Sequence, residues 1–154
     1  MATRRGKRAP PVTAQLEAVR YIETSALLAA LLEGDAAARK SLRARGTLVT
    51  SQLTFAEARR SLVRARHGGR LTAEQERSAL RALSRLRARC TTIAVTDAIL
   101  GIAGRPFPAE PIRTLDAVHL ATVAAVTDAP QFATVITRDE RVRSNALAAG
   151  YVVE

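Results

Sequence analysis

A chain of 154 residues with 47% hydrophobic and 25% charged residues is long enough for one domain with a real core. Its 24 basic residues, 22 of them Arg, against 14 acids leave a net charge of +10, which points to an anionic partner (nucleic acid or an acidic protein) or, more plainly, to an Arg- and Ala-rich genome. The longest apolar run, Ala26 to Leu32, is seven residues and far too short to span a bilayer, and the single Cys90 excludes both a disulfide framework and a cysteine metal site.

Residues 1–14, with Arg4, Arg5, Lys7 and Arg8 before Pro10-Pro11, have the basic part of a leader but no apolar stretch after it, so they read as a disordered basic arm before a domain over 15–154. A cytoplasmic location follows as the simplest expectation. Residues 18–23 and 47–51 read as short buried strands, as do 91–95, 132–136 and 151–153. Helical patterns lie between them, over 25–33, 36–45, 55–67, 73–89, 97–103, 115–127 and 139–148. This alternation predicts an α/β domain with a parallel sheet. Gly68-Gly69 marks a turn, and the three prolines between Gly104 and Pro111 mark a loop. Thr54 to Glu57, Thr72 to Gln75 and Thr137 to Glu140 match capping boxes, Thr96 and Thr114 fit helix N-caps, and Gly150 fits a C-terminal cap.

Four carboxylates recur where a parallel sheet gathers its ligands, at strand ends and the helix starts that follow them. Glu23 ends the first strand, Glu57 follows the 47–51 strand, Asp116 follows the proline loop, and Asp139 comes three residues after Ile136. Glu57 also reads as the acid of a capping box, and Asp116 and Asp139 as first-turn charges complementing a helix dipole. Glu23 has no such plain explanation, because a core strand end is a costly place for a lone charge. Clustered carboxylates repel unless a cation sits among them, and oxygen ligands with few His or Cys suit Mg²⁺ or Mn²⁺. On a cationic protein this chemistry fits phosphodiester hydrolysis, in which a metal activates water and stabilises charge on the phosphate.

Between Glu57 and Arg89 there are ten Arg and three Glu. Arg77, Arg81, Arg85 and Arg89 recur every four residues on one helix face, opposite Leu80, Leu83 and Leu86. An RNA backbone or an acidic partner would relieve their repulsion; a simply solvated face is the alternative. Two Tyr, three Phe and no Trp argue against a base-stacking platform and for phosphate contacts.

The segment Tyr21-Ile22-Glu23-Thr24-Ser25-Ala26-Leu27 resembles the opening motif of PIN-domain ribonucleases, in particular the VapC-type toxins of bacterial toxin–antitoxin pairs. Leu48 to Ser51 with Thr54 to Glu57 resembles their second acidic motif. Arg113-Thr114-Leu115-Asp116-Ala117-Val118-His119-Leu120-Ala121 is the most specific match, and Val135 to Asp139 with Ala146 to Gly150 resembles the fourth. The order and spacing fit across residues 18–153.

The resemblance implies a three-layer PIN-like domain with a central parallel sheet of four to five strands flanked by helices, and Mg²⁺- or Mn²⁺-dependent endoribonuclease activity. It implies Glu23, Asp116 and Asp139 as metal ligands, Glu57 as the fourth acid of the catalytic set, and Ser25 and Thr137 as hydroxyls fixing the carboxylates. Arg113 and His119 belong to the matching motif as support or RNA contacts, although His119 also reads as a satisfied core residue. A VapB-like antitoxin that grips the basic helices and a homodimer are the implied partners, with no membrane.

One position departs from the pattern: Glu23 stands where the family usually has Asp. The extra carbon moves the carboxylate by roughly 1.5 Å, and a misplacement of about 1 Å can cost 10²-fold in catalysis. A PIN-like RNA- or partner-binding protein with weak or no nuclease activity is therefore the second reading. A different Mg²⁺-dependent α/β phosphohydrolase is the third, and the lack of a Gly-rich phosphate loop disfavours it.

Overall fold

Five short strands, each rich in Val, Ile or Thr, form one parallel sheet: β1 (Val19–Ile22), β2 (Thr47–Ser51), β3 (Thr91–Ile93), β4 (Ala133–Ile136) and β5 (Val152–Val153). The computed structural model describes residues 18–154; the basic arm expected at 1–14 lies outside them. The strand order is β3-β2-β1-β4-β5. The chain therefore winds outward from β1 to one edge and returns on its other side, which makes the carboxyl end of β1 a topological switch point. Tyr21 pairs across with Val49 and Val135, and Ile22 with Ile136.

Alternation along β1 sends neighbouring side chains to opposite faces. Tyr21 packs with Leu120, Val123 and Val142 beneath α6 (Thr114–Val126) and α7 (Glu140–Ala148). Ile22 packs with Ala26, Leu27, Phe55 and Leu83 beneath α1 (Thr24–Leu28), α3 (Gln52–His67) and α4 (Ala73–Arg87). The remaining helices are α2 (Ala36–Ser41) and α5 (Asp97–Ala103), the latter packed on α6. The result is the expected three-layer α/β domain.

The strands match the expected ones within two residues at each end, and the helices do so except at α3, which starts earlier, and at α1 and α2, which end earlier. Thr72 forms the expected capping box with Gln75. Thr96 caps α5. Gly150, at φ +88°, follows α7 with Gly150 N donating to Leu147 O and Tyr151 N to Ala146 O, a Schellman ending.

Three helix starts differ. Strand β2 runs straight into α3, whose N-cap is Ser51, with its hydroxyl accepting from Leu53 N. Thr54 is consequently buried inside the helix, bonded to Thr50, and is no cap; Glu57 lies in the second turn rather than the first. Asp139, not Thr137, caps α7, accepting from Arg141 N and Val142 N. Arg113 precedes α6 and Thr114 is its first residue. The helix expected over 25–33 also widens into a π-helical turn at Ala29–Glu33.

The proline loop is tied down by buried Asn145 on α7. Its amide accepts from Ala109 N at 2.9 Å and donates to Ala109 O at 2.9 Å, and Glu110 accepts from Phe107 N and Ile112 N. This clamp links the helix headed by Asp139 to the loop that leads into Asp116. Asn145→Ala is expected to lower unfolding stability by about 1–3 kcal/mol, because it strands partners at both ends of Ala109; a urea titration will read it.

Candidate metal centre and basic groove

At the switch point the chain turns out of β1 into α1 at Glu23, which is only 5% exposed. Its carboxylate caps α1, accepting from Ser25 N at 3.0 Å, and also accepts from the Ser25 hydroxyl and from Thr137 Oγ1 at 2.9 Å. Those hydroxyls are themselves fixed. Ser25 Oγ accepts from Arg138 N at 2.8 Å, and Thr137 Oγ1 accepts from Asp139 N at 3.0 Å. The ends of β1 and β4 are thereby stitched into one polar cradle with Glu23 at its centre.

Asp116 enters from the first turn of α6. Burial, then the negative charges of Asp139 and Glu23, raise its carboxyl above the ordinary value, against the opposing pull of Arg113 and His119. Its Oδ2 is buried with no hydrogen-bond partner. A buried carboxylate oxygen with no partner, under the charge of two further carboxylates, is a donor that a cation would satisfy.

Glu57 faces the cradle from α3. Burial pushes its carboxyl up, but hydrogen bonds from His119 and Thr24 outweigh this and hold it below the ordinary value. His119 Nε2 lies 2.8 Å from Glu57 Oε2, and Thr24 Oγ1 donates to the same oxygen. His119 is buried and its Nδ1 lies 2.8 Å from the Tyr21 hydroxyl. Of the two readings left open for His119, satisfied core residue and support of the acids, the ring's contacts satisfy both. Ligand atoms of Glu23, Glu57 and His119 lie within 4.8 Å of one another.

Beside these acids runs a groove of about 440 Å³ lined by Glu23, Ser25, Glu57, Arg60, Arg64 and Leu115. Arg60 and Arg64 follow Glu57 by three and seven residues, so one face of α3 carries an acid at the cradle and cations along the groove. All the arginines of α3 and α4 are exposed, including Arg77, Arg81 and Arg85, as is Arg89 just past α4, while Leu83 and Leu86 are buried and Leu80 half-buried. Arg113 is exposed at the start of α6.

Sequence reasoning named the four acids, Ser25, Thr137, Arg113 and His119. It missed Tyr21, Thr24, Arg60 and Arg64. The signal for Tyr21 was present: it precedes Glu23 by two residues in a strand, on the same face, and His119 follows Asp116 by three on a helix.

The PIN domain family pattern matches residues 20–147. Ribonuclease VapC46 of Mycobacterium tuberculosis is 33% identical over 136 residues, covering 86% of this chain and 94% of that protein. The fold is similar to VapBC2 from Rickettsia felis bound to a DNA fragment from its promoter, with TM-score 0.62, 14% identity, and 88% of this chain and 97% of that chain covered. It is equally similar to the sarcin-ricin loop cleaving toxin VapC20 of M. tuberculosis, with TM-score 0.62, 20% identity, and 86% and 96% covered.

Proposed function

The chain belongs to the PIN domain family, and from that premise we propose that it is an endoribonuclease dependent on Mg²⁺ or Mn²⁺ and the toxin of a VapBC-type pair. The observation that carries this reading is the orphaned Asp116 Oδ2 under the charges of Asp139 and Glu23, at the sheet edge where a cationic groove opens. The donors are carboxylate oxygens, which fit a hard divalent ion. The name of the M. tuberculosis relative supports RNA as substrate, and the VapBC assembly among similar folds supports a VapB-type antitoxin as partner. No helix among the described residues is long and apolar enough to cross a membrane, and we place the protein in the cytoplasm with its substrate.

Glu23, Asp116 and Asp139 would hold the ion, which supplies Lewis-acid activation of water and charge stabilisation at the phosphate. Ser25 and Thr137 keep Glu23 in one orientation. Glu57, kept ionised, is an acceptor for the attacking water. Arg60 and Arg64 lie where a phosphate backbone approaching Glu57 would be neutralised, and Arg113 flanks the same acids.

Removing divalent ions with EDTA is expected to abolish cleavage of a structured RNA, and Mg²⁺ or Mn²⁺ to restore it; a gel of labelled RNA reads both. Full activity in EDTA would sink the proposal. A second reading, an RNA- or partner-binding PIN protein that barely cuts, is favoured by one observation. Both Glu23 oxygens already accept hydrogen bonds within the protein.

A further inference from the structure

We propose that Tyr21 and His119 are positioning residues that act on Glu57: the Tyr21 hydroxyl selects the His119 tautomer whose Nε2–H fixes the orientation of the Glu57 carboxylate. This rests on the nuclease reading for its consequence in catalysis, but the geometry stands apart from it. The three groups form a chain from the core to the groove, with Tyr21 OH 2.8 Å from His119 Nδ1 and His119 Nε2 2.8 Å from Glu57 Oε2. Tyr21 and His119 are at most 1% exposed, so both rings are shielded from bulk solvent, while the Glu57 end opens to the groove.

The proton positions follow from the two ends. Glu57 Oε2 already accepts from Thr24 Oγ1, and a carboxylate oxygen only accepts, so the Nε2 that lies 2.8 Å from it is the protonated nitrogen. At the other end Tyr21 is a buried phenol, whose single O–H lies 2.8 Å from Nδ1 and has one proton to donate. With the proton on Nε2, Nδ1 is the acceptor that receives it. Thr24 Oγ1 lies 3.2 Å from Nε2 and donates to the same Glu57 oxygen, so Oε2 is turned inward by two donors. Oε1 is left for the groove. The arrangement also reserves Nε2: it faces Glu57 and Glu23 as a donor and not as a metal ligand, although its distance would permit ligation.

The test uses the full ¹⁵N-labelled chain, in which His67 is the other histidine and the internal reference. Long-range ¹H–¹⁵N spectra of His119 are expected to show a protonated Nε2 and a bare, hydrogen-bonded Nδ1, unchanged on titration with Mg²⁺. Tyr21→Phe, which removes only the hydroxyl, is expected to give mixed tautomers. RNA cleavage should then lose roughly 10- to 100-fold in kcat with little change in KM. His119→Gln, which keeps an N–H donor, should cut faster than His119→Ala; this pair carries the test if Tyr21→Phe misfolds. A proton on Nδ1 in the wild type, loss of the Nε2 proton when Mg²⁺ binds, or wild-type kcat in folded Tyr21→Phe or His119→Ala overturns the inference. If the wild type cuts no RNA with Mg²⁺, the nuclease reading fails, while the tautomer and its response to Tyr21→Phe still decide this one.

Discussion

Asp116→Asn is expected to melt at a higher temperature than the wild type in metal-free buffer and yet to cut RNA at least about 10²- to 10³-fold more slowly. The two effects have one cause. In the absence of a cation, Asp116 holds a buried oxygen with no partner against the charges of Asp139 and Glu23. Its carboxyl is raised, so the folded protein binds that proton more tightly than the unfolded chain does. The charge therefore weakens the fold at neutral pH, and the penalty fades as pH falls through the carboxylate range. Asn keeps the shape and removes the charge, so the gain in melting temperature should be largest near neutral pH and should shrink toward pH 4. The same substitution deletes an anionic donor from the proposed metal site. Thermal melts in EDTA and RNA cleavage in Mg²⁺, run on one preparation, measure both. A variant less stable than the wild type at neutral pH would mean that Oδ2 makes a stabilising contact, and undiminished cleavage would remove Asp116 from the site.

This opposition of stability and activity explains what was readable in the chain and what was not. Strands and helices were legible because hydrophobic period and turn residues are local, and the parallel sheet followed from their alternation. The start of α3 was not. Thr54 to Glu57 satisfies the pattern of a capping box, but β2 enters the helix without a loop, and Ser51 serves as both last strand residue and N-cap. No glycine or proline announces that junction. Its consequence reaches the site, because Glu57 is a second-turn residue, with its carboxylate bound to His119 and Thr24 rather than to its own helix start. The start of α7 fails for a similar reason: Thr137 satisfies the sequence pattern, yet its hydroxyl is committed to Glu23, and Asp139 caps in its place. Local patterns list the groups able to cap; contacts across the sheet decide which of them is free to do so. Tyr21 was harder to single out, because its spacing from Glu23 gives its face and not its partner. An aromatic residue in a core strand needs no explanation until the residue 98 positions away is known to be a histidine bonded to it.

The second large effect falls on Glu23. Replacing it with Asp, the residue usual for the family, is expected to lower cleavage by roughly 10²-fold rather than raise it. The cradle is built to a longer side chain. Ser25 N, the Ser25 hydroxyl and Thr137 Oγ1 converge on the Glu23 carboxylate, and Arg138 N and Asp139 N fix those two hydroxyls from behind. Asp at this position remains a good N-cap, so α1 should survive and circular dichroism should be unchanged. Withdrawal by roughly 1.5 Å, however, takes the carboxylate out of reach of Thr137, which is bonded to it at 2.9 Å. Thr137 then loses its acceptor while still receiving Asp139 N, and the link between the ends of β1 and β4 loosens where Asp116 and Asp139 need to be held. Single-turnover cleavage by wild type and Glu23→Asp under the same Mg²⁺ concentration separates the two readings of this protein. Slower cleavage means that Glu23 and its hydroxyls are a matched set in a working nuclease. A large gain means that the longer side chain has detuned the site, and that the chain in its present form binds RNA or a partner more than it cuts.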